Sequence, residues 1–265
     1  MSTQRLAALP APVQDAMRLA YVAARVTADR RSLRTFARLW SAPIHDGSVS
    51  LAPLRVRPLG GEEVLVRPGT SDISIFWDTF ARRYHLPPPE LGTPQVILDL
   101  GANIGLTMAY YAYCYPHARV LGVELDADNV ALARRNTAAW ANRCEVIHAA
   151  VWQNDGVVHY RGWPGGTSGY HVTGLTEGTP VRAMSIRTLL REYGGQVDYM
   201  KVDVEGAERE LLQNGVDWAD NVRCLKVELH GDYASDECEA DLRRLGYKTR
   251  PHSHRWSYVI GLRSS

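Results

Sequence analysis

The stretch Val96-Ile97-Leu98-Asp99-Leu100-Gly101-Ala102-Asn103-Ile104-Gly105 decides the fold. Its opening apolar run is too continuous for a strand with one wet face and reads as a strand buried in a parallel sheet. The run breaks at a glycine turn and passes into IGLTMAYYAYCY (104–115), which reads as a helix. A strand (ARVLGVEL, 118–125), a helix (127–141, with Asp126 or Asp128 near its start) and a third strand (CEVIHAAVW, 144–152) follow. This β-α-β-α-β order predicts a parallel sheet with helices on both faces and right-handed crossovers.

Further along, SIRTLLREYG (185–194), EGAERELLQNG (205–215) and SDECEADLRRLG (235–246) read as helices. VDYMKVDV (197–204), VRCLKVELH (222–230), YKTR (247–250) and WSYVIGLR (256–263) read as strands. Between 153 and 184 the rhythm breaks into a segment rich in Gly, Thr, Tyr and Trp, expected to hold a hairpin and a long binding loop. Upstream, residues 1–40 read as helix from the spacing of Leu19, Val22, Ala23 and Val26. Two strand-like runs joined by Gly60-Gly61 follow. Then comes a helix over 69–86, with Thr70, Ser71 or Asp72 as N-cap. The run Pro87-Pro88-Pro89 places the boundary between an N-terminal cap region, 1–90, and the main domain, 91–265.

Composition bounds the function. The 265 residues are 45% hydrophobic and 22% charged with a net charge of +1. That excludes a disordered chain, a collagen-like repeat or a disulfide scaffold, and argues against nucleic acid as a partner. The charge is uneven: residues 1–40 hold seven arginines against Asp15 and Asp29. A transit peptide, a membrane-surface helix and a solvated helix face all fit that bias, the last being favoured because Arg5, Pro10, Pro12 and Asp15 interrupt any apolar run. No stretch reaches the roughly 18 apolar residues of a membrane span. Cys114, Cys144, Cys224 and Cys238 form no C-x-x-C pair and fit reduced core thiols, so a cytoplasmic protein is expected.

The turn then says what it holds. Ligands of open parallel sheets bind outside the carboxyl ends of the strands. Gly101 permits a tight turn and close approach of a ligand, and Gly105 permits close helix–strand packing. Asn103 stands where a dinucleotide fingerprint needs its second glycine, which argues against NAD or FAD. Glu124 lies 19 residues past Gly105, at the end of the second strand. There a carboxylate can accept bonds from both hydroxyls of a ribose, with Leu125 against the base. A ribose clamp without a pyrophosphate cradle suits S-adenosylmethionine.

Two runs, VILDLGANIGLTMAYYAYCYPHARVLGVELDADN (96–129) and VDYMKVDVEGAERELL (197–212), resemble the FkbM family of methyltransferases, as does RPGTSDISIFWDTF upstream. KVDVEGAE is the most specific piece, and the similarity spans 67 to about 230. The resemblance implies an α/β, class I methyltransferase (Rossmann-like) fold with a seven-stranded, mostly parallel sheet, its last strand antiparallel, plus an N-terminal helical and hairpin extension. It also implies S-adenosylmethionine and methylation of a hydroxyl on a sugar or polyketide natural product. Asp99, Gly101, Ala102, Asn103 and Gly105 would surround the methionine end, Glu124 the ribose, and Leu125, Ala150 and Val151 the adenine. Asp203 would lie near the methionine end and the acceptor. Arg187 stands where the family commonly has an aspartate, which puts a helix cap there in doubt.

Asp203, Glu205, Glu208, Glu228 and His230 fall at the ends of neighbouring strands. They could supply a general base, with Asp203 and His230 the candidates, or a divalent metal site, which is less favoured. Alternation instead allows buried pairs of Lys201 with Glu228 or Asp203 with Lys226. Trp163, Tyr170 and His171 form a candidate acceptor platform, and His252, His254 and Trp256 read as turn residues. Rival readings are a nicotinamide oxidoreductase and a methyltransferase-like binding module without catalysis. Whether the N-terminal region covers the cleft or makes a homodimer surface is left open, and no membrane partner is expected.

Overall fold

The computed structural model describes residues 11–43, 50–162, 171–174, 178–193, 195–251 and 258–263. The chain divides into two compact units, Met1–Arg83 and Tyr84–Ser265. In the first unit the stretch read as helical forms two helices, α1 (Ala11–Val26) and α2 (Arg30–Ser41). Asp29 makes the break: its carboxylate accepts from the Ser32 amide at 2.7 Å and caps α2. Strands β1 (Ala52–Arg55) and β2 (Glu63–Val66) pair antiparallel, Ala52 opposite Val66. Gly60 and Gly61, at φ 70° and 94°, turn the chain between them.

Helix α3 (Asp72–Trp77) runs on into a π-helical turn ending at Arg82. Ser71 holds the N-cap position without a side-chain capping bond. Asp72 is buried and accepts from the Arg67 amide at 2.8 Å and from two guanidinium nitrogens at 2.9 Å, tying the end of the hairpin to α3. Phe36 anchors the unit's core, stacked on Trp40 and Trp77 at 5.5 and 5.8 Å.

The second unit runs β3 (Val96–Leu100), α4 (Leu106–Cys114), β4 (Arg119–Glu124), α5 (Ala127–Asn136) and β5 (Cys144–His148). Next come β6 (Ala150–Val151), β7 (Gly156–Arg161), β8 (His171–Gly174) and β9 (Thr179–Met184). Helix α6 (Ile186–Tyr193), β10 (Val197–Val202), α7 (Glu208–Gln213) and β11 (Val222–Glu228) follow. The unit ends with α8 (Ser235–Arg244), β12 (Lys248–Pro251) and β13 (Tyr258–Leu262).

Seven strands form one sheet in the order β12-β13-β11-β10-β3-β4-β5. Pairings from β5 through β11 are parallel, and β13, the last strand, is antiparallel to both its neighbours. One face packs Met108, Tyr111, Val130 and Ala133 of α4 and α5. The other packs Ile186, Leu189, Leu211 and Leu242 of α6, α7 and α8. The expected hairpin after residue 153 is present as β7 and β8, which pair antiparallel, and it lies within a second, four-stranded sheet, β6-β9-β7-β8. Asp155, in the turn between β6 and β7, accepts from the Ser185 amide at 2.7 Å and the Thr188 hydroxyl at 2.6 Å. This fixes the start of α6 and leaves Arg187 free to pair on the surface with Asp217 at 2.6 Å. Among the described residues no helix is long and apolar enough to cross a membrane.

Candidate active site

Strand order reverses between β3 and β10, and the turns that follow these two strands meet there. Gly101 adopts φ 80°, and a Cβ on it would lie 1.8 Å from the Asp203 carbonyl oxygen. The glycine is therefore demanded by the neighbouring turn rather than by a ligand. Gly105, at φ 77°, would drive a Cβ into Ala133, so it serves packing of its turn on α5, not on a strand. Asn103 takes the left-handed conformation, φ 48°, which asparagine tolerates.

Every amide of this turn is already engaged. The Gly101 and Ala102 amides donate to the Val123 carbonyl and the Gly105 amide to the Ala102 carbonyl. The Asn103 amide donates to Glu124, and the Ile104 amide to the Asn103 side chain. No ring of free N–H groups remains for a pyrophosphate, in line with the missing second glycine.

Glu124 is the hub. Its Oε2 accepts from the Asn103 amide and its Oε1 from the Asp126 amide, both at 2.8 Å. The Asn129 side chain also hydrogen-bonds the carboxylate, and the lone-pair capacity that remains is open to a donor outside the protein. Burial pushes its pKa up to about 7, against the pull of the two amides. Leu125 is half-buried and packs with Ala150 on the second sheet's core. Val151, the next residue, faces the opposite way into the main core. Ala102 is likewise buried, so only its backbone borders the turn.

Lys201 stitches the two turns together. Its ammonium lies 3.0 Å from Asp99, 2.9 Å from the Gly101 carbonyl and 3.1 Å from Asp203. The parallel register sets Lys201 beside Asp99 on one side and Lys226 on the other, so neither expected cross-pair forms. Lys226 instead donates to the Tyr84 carbonyl and lies over the Tyr84 and Tyr258 rings at 4.8 and 4.0 Å. Burial lowers its pKa to about 7. Asp99 keeps one buried carboxylate oxygen, Oδ2, without a partner.

The VEGAE segment builds the other half. Glu205 sits at φ 54° and Gly206 at φ 104°. Glu208, fully buried, reaches back to accept from the Val204 and Gly206 amides at 3.1 and 2.9 Å. His230 places Nδ1 at 2.9 Å from Glu208, and Nε2 at 3.4 Å from Glu205 and 3.7 Å from Asp203. Burial works against its charge, but these carboxylates prevail and hold the pKa at about 9.

The protonated imidazole thus ties the motif together and is a poor proton acceptor at neutral pH. Because folding raises the pKa, the stabilisation is complete below 6.5, the value of an unpaired imidazole, and vanishes as pH passes through about 9. His230→Gln is expected to cost on the order of 2 kcal/mol at pH 6 and far less at pH 10. Urea midpoints at the two pH values measure this, and equal losses would contradict the assignment.

A residue that sequence reasoning missed completes the site. A ring nitrogen of His85 and carboxylate oxygens of Asp203 and Glu228 all lie within 4.8 Å of one another. Two buried tyrosines hold its backbone: the Tyr111 and Tyr199 hydroxyls both donate to the His85 carbonyl at 2.8 Å. Burial, then the nearby Lys201 and Lys226 charges, keep the ring neutral, its pKa well below 6.5. Burial and the Asp203 charge push Glu228 the other way, upward. His85, Asp203 and Glu228, or Asp203, Glu205 and His230, also offer three-ligand sets for a divalent cation. Both sets include Asp203, which Lys201 already neutralises at 3.1 Å, so the donor sets fit a metal poorly.

Trp163 and Tyr170 lie outside the described residues, as do His252, His254 and Trp256. His171 opens β8 opposite Arg161.

A sheet in this order, with its last strand reversed and an acid closing the second strand beside a glycine turn, defines the class I methyltransferase fold. The model of the methyltransferase FkbM domain matches residues 99–249, and the chain belongs to this family of S-adenosylmethionine-dependent methyltransferases. No curated protein sequence matches.

Among solved structures the chain is similar to a precorrin-6y C5,15-methyltransferase from Geobacter metallireducens. Identity is 12% and the TM-score 0.40, covering 65% of this chain and 81% of that one. It is also similar to magnesium protoporphyrin IX methyltransferase from Synechocystis, solved with S-adenosylmethionine (16%, TM-score 0.40, 66% and 72% covered). An O-methyltransferase family protein from Burkholderia thailandensis gives 14% and a TM-score of 0.41, with 74% and 63% covered. At such scores the fold assignment rests on the strand order and the family match.

Proposed function

We propose that this protein transfers the methyl group of S-adenosylmethionine to a hydroxyl of a small molecule, a sugar or polyketide natural product. The observation that carries the reading is the neutral His85 imidazole beside Asp203 and Glu228 at the carboxyl ends of β10 and β11. An alcohol must lose a proton as it is methylated, and a neutral imidazole can take it.

The residues present fit the cofactor. Glu124 offers its remaining acceptor capacity to the ribose hydroxyls, and Leu125 and Ala150 offer an apolar wall to the adenine. The unpartnered Oδ2 of Asp99 is a buried acceptor at the methionine end, next to the backbone of Gly101 to Gly105. When bound, the sulfonium supplies an electrophilic methyl whose leaving group is a neutral thioether. The chain's own task is to align the acceptor, exclude water and receive the proton. Asp203, fixed by Lys201, is placed to orient the acceptor hydroxyl, and His230 positions Asp203 and Glu205. Trp163, Tyr170 and His171 remain candidates for the acceptor platform.

The test is calorimetric titration with S-adenosylhomocysteine and, separately, NAD, followed by labelled methyl transfer to a panel of hydroxyl, amine and thiol acceptors. S-adenosylhomocysteine binding without NAD binding, and label on hydroxyl compounds, is expected. NAD binding, or transfer confined to amines or thiols, would overturn the proposal.

A further inference from the structure

Outside the candidate active site the strongest unassigned feature is a groove within the first unit. Its cavity, about 390 Å³, is lined by Arg31, Arg34, Thr35 and Arg38 of α2, with Ser50 and Pro53 opposite. The three arginines recur at i, i+3 and i+7, so they share one helix face, and all three are exposed. Helix α2 carries four arginines and no acid, with two of them in its first turn, where the helix dipole disfavours cations. Like charges at this spacing repel one another as well.

Five other arginines of the unit have side-chain partners. Arg25 bonds Tyr21, Arg55 the Gly61 carbonyl and Arg57 the Thr27 carbonyl, while Arg67 and Arg82 pair with Asp72 and Asp78. Among the described residues, Arg31, Arg34 and Arg38 have no such side-chain partner. An unbalanced cationic face lining a recess is what a multiply charged anion requires.

We infer that this groove binds the phosphate group of a soluble phosphorylated small molecule. Guanidinium forks match phosphate oxygens with paired charge-assisted hydrogen bonds, and the Thr35 hydroxyl adds a further donor. The alternative source of phosphate, a lipid headgroup, would need an apolar helix face free to enter the bilayer. In α2 that face is used inside the unit: Phe36 and Leu39 are buried, and Phe36 stacks on Trp77.

The full chain would be titrated calorimetrically with inorganic pyrophosphate at low and at physiological salt, beside the R31Q/R34Q/R38Q variant. The wild type is expected to bind, more weakly at the higher salt, and the triple variant at least about tenfold more weakly still. S-adenosylhomocysteine affinity should be the same in both. Arg34→Gln alone, expected to lose about threefold, keeps the test valid if the triple variant unfolds. No binding by the wild type, or equal binding by wild type and variants, overturns the site. Flotation with phosphatidylglycerol vesicles separates the two phosphate sources. No retention is expected, and retention of the wild type but not the variant would overturn the assignment to a soluble ligand.

Discussion

Glu124→Ala is expected to weaken S-adenosylhomocysteine binding by about 100-fold or more, the loss of two hydrogen bonds to a charged acceptor. The same substitution strands the Asn103 and Asp126 amides that Glu124 accepts, so some thermal stability should go with it. Glu124→Gln separates the two effects. It keeps the shape and one acceptor oxygen, so the turn should hold while affinity still falls.

The pH dependence carries the sharper signature. Ribose hydroxyls donate, so they prefer the ionised carboxylate, and this carboxyl's pKa is pushed up to about 7. Affinity should therefore be flat above pH 8 and fall about tenfold between pH 8 and pH 6, because each binding event must release a proton. The glutamine variant should show no such slope. A wild-type affinity that ignores pH across this range, or a folded alanine variant that binds normally, would remove Glu124 from the ribose.

What could be read in the sequence was local in the chain. Asp99 to Gly105 and Glu124 belong to one β-α-β unit, where strand length and turn residues fix which atoms face the cleft. The reversed strand β13 came only from the family resemblance, since nothing in WSYVIGLR states its direction. Glycine roles were half legible. The tight turn at Gly101 and close packing at Gly105 were legible, but the atoms that forbid a side chain, the Asp203 carbonyl and Ala133, come from distant segments.

Lys201 shows the same boundary. Alternation placed it on one face with Asp203, which it does bind, yet its pair with Asp99 depends on the register between β10 and β3. The spacing of Leu19 to Val26 marked helix in the first stretch, but it did not place the break that Asp29 makes through its capping bond. The break and its hairpin were visible, but the four-stranded sheet around them depends on pairings of β9 with β6 and β7 that no short-range signal encodes. His85 was hidden altogether. Only the buried hydroxyls of Tyr111 and Tyr199, 26 and 114 residues away, bring its backbone to the strand ends.

His85→Ala is expected to lower kcat by about 100- to 10,000-fold, the usual worth of a positioned proton acceptor. S-adenosylhomocysteine affinity should be nearly unchanged, since the proposed ribose and adenine contacts lie at the end of β4 and on β6. Before any acceptor is known, NMR titration of the histidine rings tests the premise. His85 should titrate well below 6.5, because burial and two lysine charges oppose its protonation. His230 should titrate near 9, because three carboxylates favour it.

These opposite shifts within one site divide the labour: one imidazole is ready to accept a proton at neutral pH, and the other is already loaded and holds the carboxylates in place. With an acceptor in hand, the wild-type rate should be level from about pH 6.5 to 8, and His230→Gln should leave that plateau flat at a lower height. A His85 ring that titrates above 7, or a His85→Ala enzyme with undiminished kcat, would move proton acceptance to Asp203 or Glu228. Glu228 can serve only in the fraction that has lost its own proton, and burial together with the Asp203 charge keeps that fraction small at neutral pH. An enzyme relying on it would speed up as pH rises, so the slope of the rate between pH 6 and 8 distinguishes the two acceptors.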